Sequence, residues 1–264
     1  MRHSLYAFIL LTLVACSSDP ALEDNKLTAD ELYSQAMDAM DDHLFEQAIK
    51  KFEKLQANYP YGRFAQQALM ETAYANYKLG EPAPALSAAD RFIKQYPNNT
   101  HLDYILYLKG LINFDENLSG AIITISNQDP AERDPKSLHE SFDTFKELIT
   151  RFPDSDYVSD ARVRMKYLVN TLAGSDIHVA SYYLRRGAYV AAVNRSKTIL
   201  INYPQSPYTR NALQIMTQAY DAMGMKDLRD DAKRTLDINI AKDGHLPEPI
   251  EASKRNPSWW RFWE

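Results

Sequence analysis

Four times along this chain a proline follows an aromatic residue at the end of a stretch with the same internal spacing. That recurrence restricts the fold more than any other feature. Pro60, Pro97, Pro153 and Pro204 are preceded by Tyr59, Tyr96, Phe152 and Tyr203. Five positions before each proline stand Leu55, Phe92, Leu148 and Ile199, and eight before stand Phe52, Ala89, Phe145 and Ser196. Twelve before stand the small residues Ala48, Ala85, Ser141 and Ala192. Such offsets share one face of a helix. The small residue admits a neighbouring helix, and the proline stops its own because it lacks an N–H and clashes with the preceding turn.

A second helix is predicted after each proline. Ala68-Leu69 and Ala212-Leu213 match in offset, as do Gly80 and Gly224, where glycine can take a left-handed helix end. Ser206 precedes Pro207 as a candidate helix cap. A helix pair closed by proline, with small and large residues alternating, resembles the tetratricopeptide repeat, whose period is about 34 residues. Pro97 follows Pro60 by 37 positions, Pro153 follows Pro97 by 56, and Pro204 follows Pro153 by 51. The first surplus is placed as an insertion at 117–136, and the second as an extra helix from Tyr157 to about Leu172.

The expected architecture is all-α, a solenoid of about five helix pairs wound as a right-handed superhelix with a concave groove. Only eight glycines, with Ala, Leu, Tyr and Lys at helical spacing, agree with that class. The solenoid is expected over 28–240. It starts at a capping box, in which Thr28 and Glu31 satisfy amides of the first turn. Gly244, Pro247 and Pro249 then break the pattern, leaving 241–264 as an irregular tail with Trp259, Trp260 and Trp263. Those tryptophans suit a membrane interface, a cap on the solenoid or a partner, while Asp243, Glu248 and Glu251 would repel anionic lipid.

The start of the chain has its own logic. Residues 5–14 are almost wholly apolar, too few to span a bilayer but right for a signal-peptide core. They run into Leu13-Val14-Ala15-Cys16, which resembles a bacterial lipobox. The reading is a signal peptide over 1–15, lipidation at Cys16, and a polar tether over 16–27 about 18 Å long as a coil. Ser17, where aspartate commonly retains lipoproteins at the inner membrane, directs the address to the outer membrane.

Catalytic patterns do not appear. The chain has no G-x-S-x-G, H-E-x-x-H, phosphate-binding loop or G-x-G-x-x-G, and its histidines have no i, i+4 pairing for a metal. The single cysteine is accounted for by the anchor, and a net charge of −5 does not suit nucleic acid. A binding protein without cofactor or metal, and not an enzyme, is expected. Its groove would be lined by first helices bearing Tyr74, Tyr77, Tyr104, Tyr107, Tyr182 and Tyr183. Each of these can instead pack between repeats, the commoner fate of a tyrosine. In the run Arg185 to Arg195, Gly187 marks a turn, and Arg195 is spaced to avoid the core. A partner carboxylate and an intramolecular ion pair are both open to it.

The lipobox, the Ala57–Gly62 run A-N-Y-P-Y-G, Ala89 to Ile93, Arg133-Asp134-Pro135 and Tyr182 to Arg195 stand in an order that resembles the BamD family. These are lipoproteins of the outer-membrane β-barrel assembly machinery, also described as competence lipoproteins. The resemblance covers about Leu13 to Ile240, and the Trp-rich tail lies outside it. It implies a scaffold anchored at the periplasmic side of the outer membrane. Its C-terminal repeats would dock on periplasmic domains of the barrel-forming subunit, another assembly lipoprotein would pack alongside, and its N-terminal repeats would receive unfolded β-barrel proteins. Carried over by position, Arg195, with Tyr189 and Asn194, becomes the partner contact. Tyr61, Tyr74 and Arg91 become the substrate contacts. The alternative is a repeat lipoprotein that organises peptidoglycan or cell-division enzymes.

Overall fold

The structure is a computed structural model, and it describes residues 27–118 and 135–243. Within them the chain forms ten helices: α1 (Ala29–Asp41), α2 (Phe45–Asn58), α3 (Arg63–Lys78), α4 (Pro82–Gln95), α5 (Leu102–Leu118), α6 (Lys136–Arg151), α7 (Val158–Arg185), α8 (Tyr189–Asn202), α9 (Thr209–Ala222) and α10 (Lys226–Asp243). No strand occurs among the described residues. The ten helices make five consecutive pairs, as the proline spacing predicts. The signal segment, Cys16, the tether and the tryptophans of the tail lie outside the described residues.

The periodic positions form the core. Ala48, Ala85, Ser141 and Ala192 are completely buried, as are Phe52, Ala89, Phe145 and Ser196, and Leu55, Phe92, Leu148 and Ile199. Burying one such large apolar side chain contributes about 1.5–3 kcal/mol, so the repeated triplet supplies much of each pair's cohesion. The aromatic before the proline is less uniform. Tyr203 is buried, but Tyr59 is exposed. At each such end in α2, α6 and α8 its amide donates to the carbonyl four residues back (Leu55, Leu148 or Ile199), after which proline can donate nothing.

The helices gather into two compact units, one ending at Phe92 and one beginning at Ile93. In the first, α1 packs on α2 and α3, and α2 on α3. Its start is the expected capping box: Glu31 N–H donates to Thr28 Oγ1 at 3.3 Å and Thr28 N–H to Glu31 Oε2 at 2.8 Å. In the second unit α5 packs on α6, α6 on α7, α7 on α8 and α9, α8 on α9, and α9 on α10. Gly110 of α5 sits so close to α6 that a Cβ there would lie 2.4 Å from the Phe145 ring. Its carbonyl accepts the Ser141 hydroxyl at 2.9 Å.

Within four helix pairs the turn is one repeated device. Leu44, Glu81, Ala188 and Met225 donate their amides to Ala39, Asn76, Tyr183 and Tyr220 at 2.8–3.0 Å, satisfying a carbonyl of the last turn of each first helix. The preceding residue is left-handed each time. Gly80, Gly187 and Gly224 have φ near +75°, whereas the first turn uses His43 at φ 61°. Counting glycines hid that fourth member, because a histidine can enter this region at a cost of about 1–2 kcal/mol.

Four expectations need correction. The surplus before Pro204 is not a separate helix, since α7 continues unbroken for 28 residues. Gly174 within it is buried, and packing on α6, α8 and α9 offsets a glycine's low helix propensity. The insertion starts later than 117, because α5 includes residues 117 and 118, and α6 already begins at Lys136; positions 119–134 lie outside the described residues. Ser206 is not the helix cap. It lies three residues before α9, where its Oγ accepts the amide of Tyr208 at 3.3 Å and its carbonyl accepts that of Thr209. The last helix runs to Asp243 rather than ending near Ile240.

Candidate functional site

Binding surfaces can be sought where side chains project without serving the repeat. In the first unit the leading place is the turn after α2. Tyr59, Pro60, Tyr61 and Gly62 join α2 to α3 in four residues, and Gly62 takes φ 98°, ψ −177°, a conformation open essentially to glycine alone. Tyr59 is fixed by donating its hydroxyl to the Leu27 carbonyl at 2.9 Å. Tyr61 is 90% exposed, the most exposed large hydrophobic residue among those described.

The other two residues assigned to the same role do not share one surface with each other. Arg91 of α4 is exposed and donates to Gln56 Oε1 at 2.5 Å, across a cleft of about 290 Å³ floored by Leu69, Thr72 and Asn76 of α3. Tyr74 lies two residues beyond Thr72, on the far side of the same helix. It packs against the first unit's core with Lys78 Nζ 6.0 Å above its ring. The cleft therefore goes with Arg91, and Tyr74 belongs to a different face with Tyr33 and Phe64, which the sequence reading did not single out. Their signal was the heptad spacing Phe64, Glu71, Lys78.

In the second unit Arg195 of α8 is 43% exposed, and its Nη1 donates to Asp176 Oδ1 of α7 at 2.9 Å. Of the two uses left open for this arginine, the intramolecular pair is therefore formed. Asp176 is much the more buried partner. Burial pushes its carboxyl up from the ordinary range, while Arg195 and His139 pull it down. Tyr203, the residue before Pro204, is pushed up to about 12 by burial and by the charges of Asp176 and Asp143. Asn194 is exposed beside Arg195, but Tyr189 is half-buried against Val193, Met216, Ala219 and Tyr220. Tyr182 and Val190, flanking the Gly187 turn, are 51% and 63% exposed.

The tyrosines expected along the groove serve mainly as packing. Tyr107 stacks on Tyr157 at 4.7 Å and donates to Asp160 Oδ2 at 2.7 Å, and burial pushes its hydroxyl up to about 12. Arg164 Nε donates to the same Asp160 oxygen at 2.6 Å. Among the described residues no group of acidic, histidine or cysteine side chains could hold a metal, and no helix is long and apolar enough to cross a membrane.

Five consecutive helix pairs, with their cores at the repeated positions, define a tetratricopeptide-type repeat protein. The family YfiO, outer membrane lipoprotein, matches residues 25–236, and the chain belongs to it. It is 38% identical over 258 residues to the outer membrane protein assembly factor BamD of Neisseria meningitidis serogroup B, with 96% of each chain covered. It is 36% identical to the factor of the same name from Xylella fastidiosa (strain Temecula1), covering 89% of this chain and 80% of that one. Against the crystal structure of MamA the TM-score is 0.32 at 16% identity, with 79% and 94% covered.

Proposed function

We propose that this chain is a non-catalytic scaffold in outer membrane protein assembly, held by lipid on Cys16 at the periplasmic side of the outer membrane. Its C-terminal repeats dock the barrel-forming assembly subunit around Arg195 and Asn194, with Tyr189 shaping the surface from below. Other assembly lipoproteins lie alongside. Its N-terminal repeats receive unfolded outer-membrane β-barrel proteins at Tyr61, with Arg91 over its cleft and Tyr74 on the neighbouring face as secondary contacts. The observation that carries this reading is the family membership, taken with an aromatic ring held almost wholly in solvent at Tyr61.

The Asp176 pair bears on how Arg195 works. A guanidinium offers five donors, and one bond to Asp176 leaves others for a partner carboxylate. The half-buried aspartate then fixes the arginine's direction and reduces the entropy lost on docking. The test is purification from mild detergent with Arg195→Gln. Glutamine keeps a donor for Asp176, whereas glutamate would set two carboxylates side by side. The barrel-forming subunit is expected to be lost while helical circular dichroism is unchanged. Full retention of that subunit would remove Arg195 from the docking surface.

A further inference from the structure

On α3 the residues Phe64, Gln67, Glu71, Tyr74 and Lys78 recur at spacings of three and four, so they share one helix face. Tyr33 of α1 closes that face, its ring 5.4 Å from Phe64 and 5.9 Å from Phe52. Tyr33, Met37, Phe64 and Tyr74 are half-buried, with one side packed on the core around Leu32, Phe52 and Leu55. They make an aromatic floor with their remaining surface open.

Glu71 stands in the middle of this floor, and it is also half-buried. Among the described residues its carboxylate has no hydrogen-bond or ion-pair partner. The cations on the same face are spent elsewhere: the Arg63 guanidinium lies 4.6 Å from the Phe64 centroid, and Lys78 lies over Tyr74. A carboxylate withdrawn from water without a partner costs free energy. In keeping with this, burial raises its pKa, and its charge helps raise that of Tyr33. Neither the capping, the core nor the turns of this unit uses the group.

We infer that Glu71, with the rings of Tyr33, Phe64 and Tyr74, forms a cradle for one lysine or arginine side chain carried between apolar neighbours on an extended segment of a bound chain. The carboxylate pairs with the cation, and the exposed parts of the rings pack against its aliphatic stem. Arg63 and Lys78, about two helical turns to either side, repel a second positive charge and so restrict the ligand to a single cation. This assignment rests on the reading that the first unit receives unfolded chains, and it names the side chain recognised there.

The probe is acetyl-Gly-Tyr-Lys-Phe-Gly-amide, with norleucine replacing lysine as its partner, titrated into the full chain in detergent. The wild-type protein is expected to prefer the lysine peptide by about tenfold, Glu71→Gln to bind the two alike, and Tyr74→Leu to bind both more weakly. Glu71→Gln is isosteric and removes an unpaired charge, so its melting temperature is expected to be unchanged or higher. No binding of either peptide, or equal binding of the two by the wild-type protein, overturns the cradle. A fall in melting temperature with the preference intact also overturns it, making Glu71 a structural group. The peptides report on the cradle alone, so failure of the wider function, read by capture of newly made outer-membrane proteins at Tyr61, remains separable.

Discussion

The turn after α2 and the turns after α4, α6 and α8 begin alike, with an aromatic residue and a proline, and then part. In the later three the second residue after proline is Asn99, Ser155 or Ser206. Its amide donates to the aromatic's carbonyl, its side chain accepts the amide two positions on, and its carbonyl accepts the amide three positions on. These turns satisfy themselves. The first has no such residue. Gly62 supplies the bend through its backbone, α3 starts two residues sooner relative to the proline, and Tyr61 is left projecting into water. One motif thus has a structural form used three times and an open form used once, and the open form is where an aromatic is spent on solvent.

Three substitutions sharpen this contrast. Gly62→Ala should have the largest effect on stability. A Cβ there meets nothing within 4 Å, so the cost is backbone strain alone, about 1–3 kcal/mol by chemical denaturation. Ser206→Ala should cost about 1 kcal/mol, since it removes the acceptor that closes the self-satisfied turn. Tyr61→Ala should change stability by less than about 0.5 kcal/mol, because the ring is not part of the packing. A loss at Tyr61 equal to that at Ser206 would mean the first turn is structural like the others.

How much of this was legible in the sequence varies by element. The buried triplets were readable because three positions per helix repeat against a proline that fixes the count, and all twelve residues are completely buried. The left-handed residues at Gly80, Gly187 and Gly224 were readable as glycines. His43 in the same role was not, because the chemistry that marks the position is absent from it. The continuity of α7 was hidden because proline spacing cannot tell a second helix from a longer one. Ser206 was misread because a serine before proline announces a cap just as well as it announces the turn that precedes one.

At the candidate surfaces, exposure could be read and pairing could not. Arg195 follows from its place off the core face of a helix and Tyr61 from the family resemblance, and both are accessible. Asp176, which holds Arg195, lies nineteen residues away on another helix, and nothing in its local pattern separates it from any surface aspartate. The separation of Tyr74 from Arg91 was hidden for the same reason. Helical spacing puts Tyr74 opposite Thr72 and Asn76, and only the packing of α4 shows that Arg91 stands on their side.

In the proposed function the open turn, and not its closed counterparts, meets unfolded outer-membrane chains. A photo-crosslinking amino acid at Tyr61 and, separately, at Asp154, the equivalent exposed position after Pro153, tests it in intact cells. The prediction is crosslinks to newly made β-barrel proteins from position 61 and few or none from 154. Equal yields from the two positions, or none from 61 while the protein still co-purifies with the barrel-forming subunit, would contradict it.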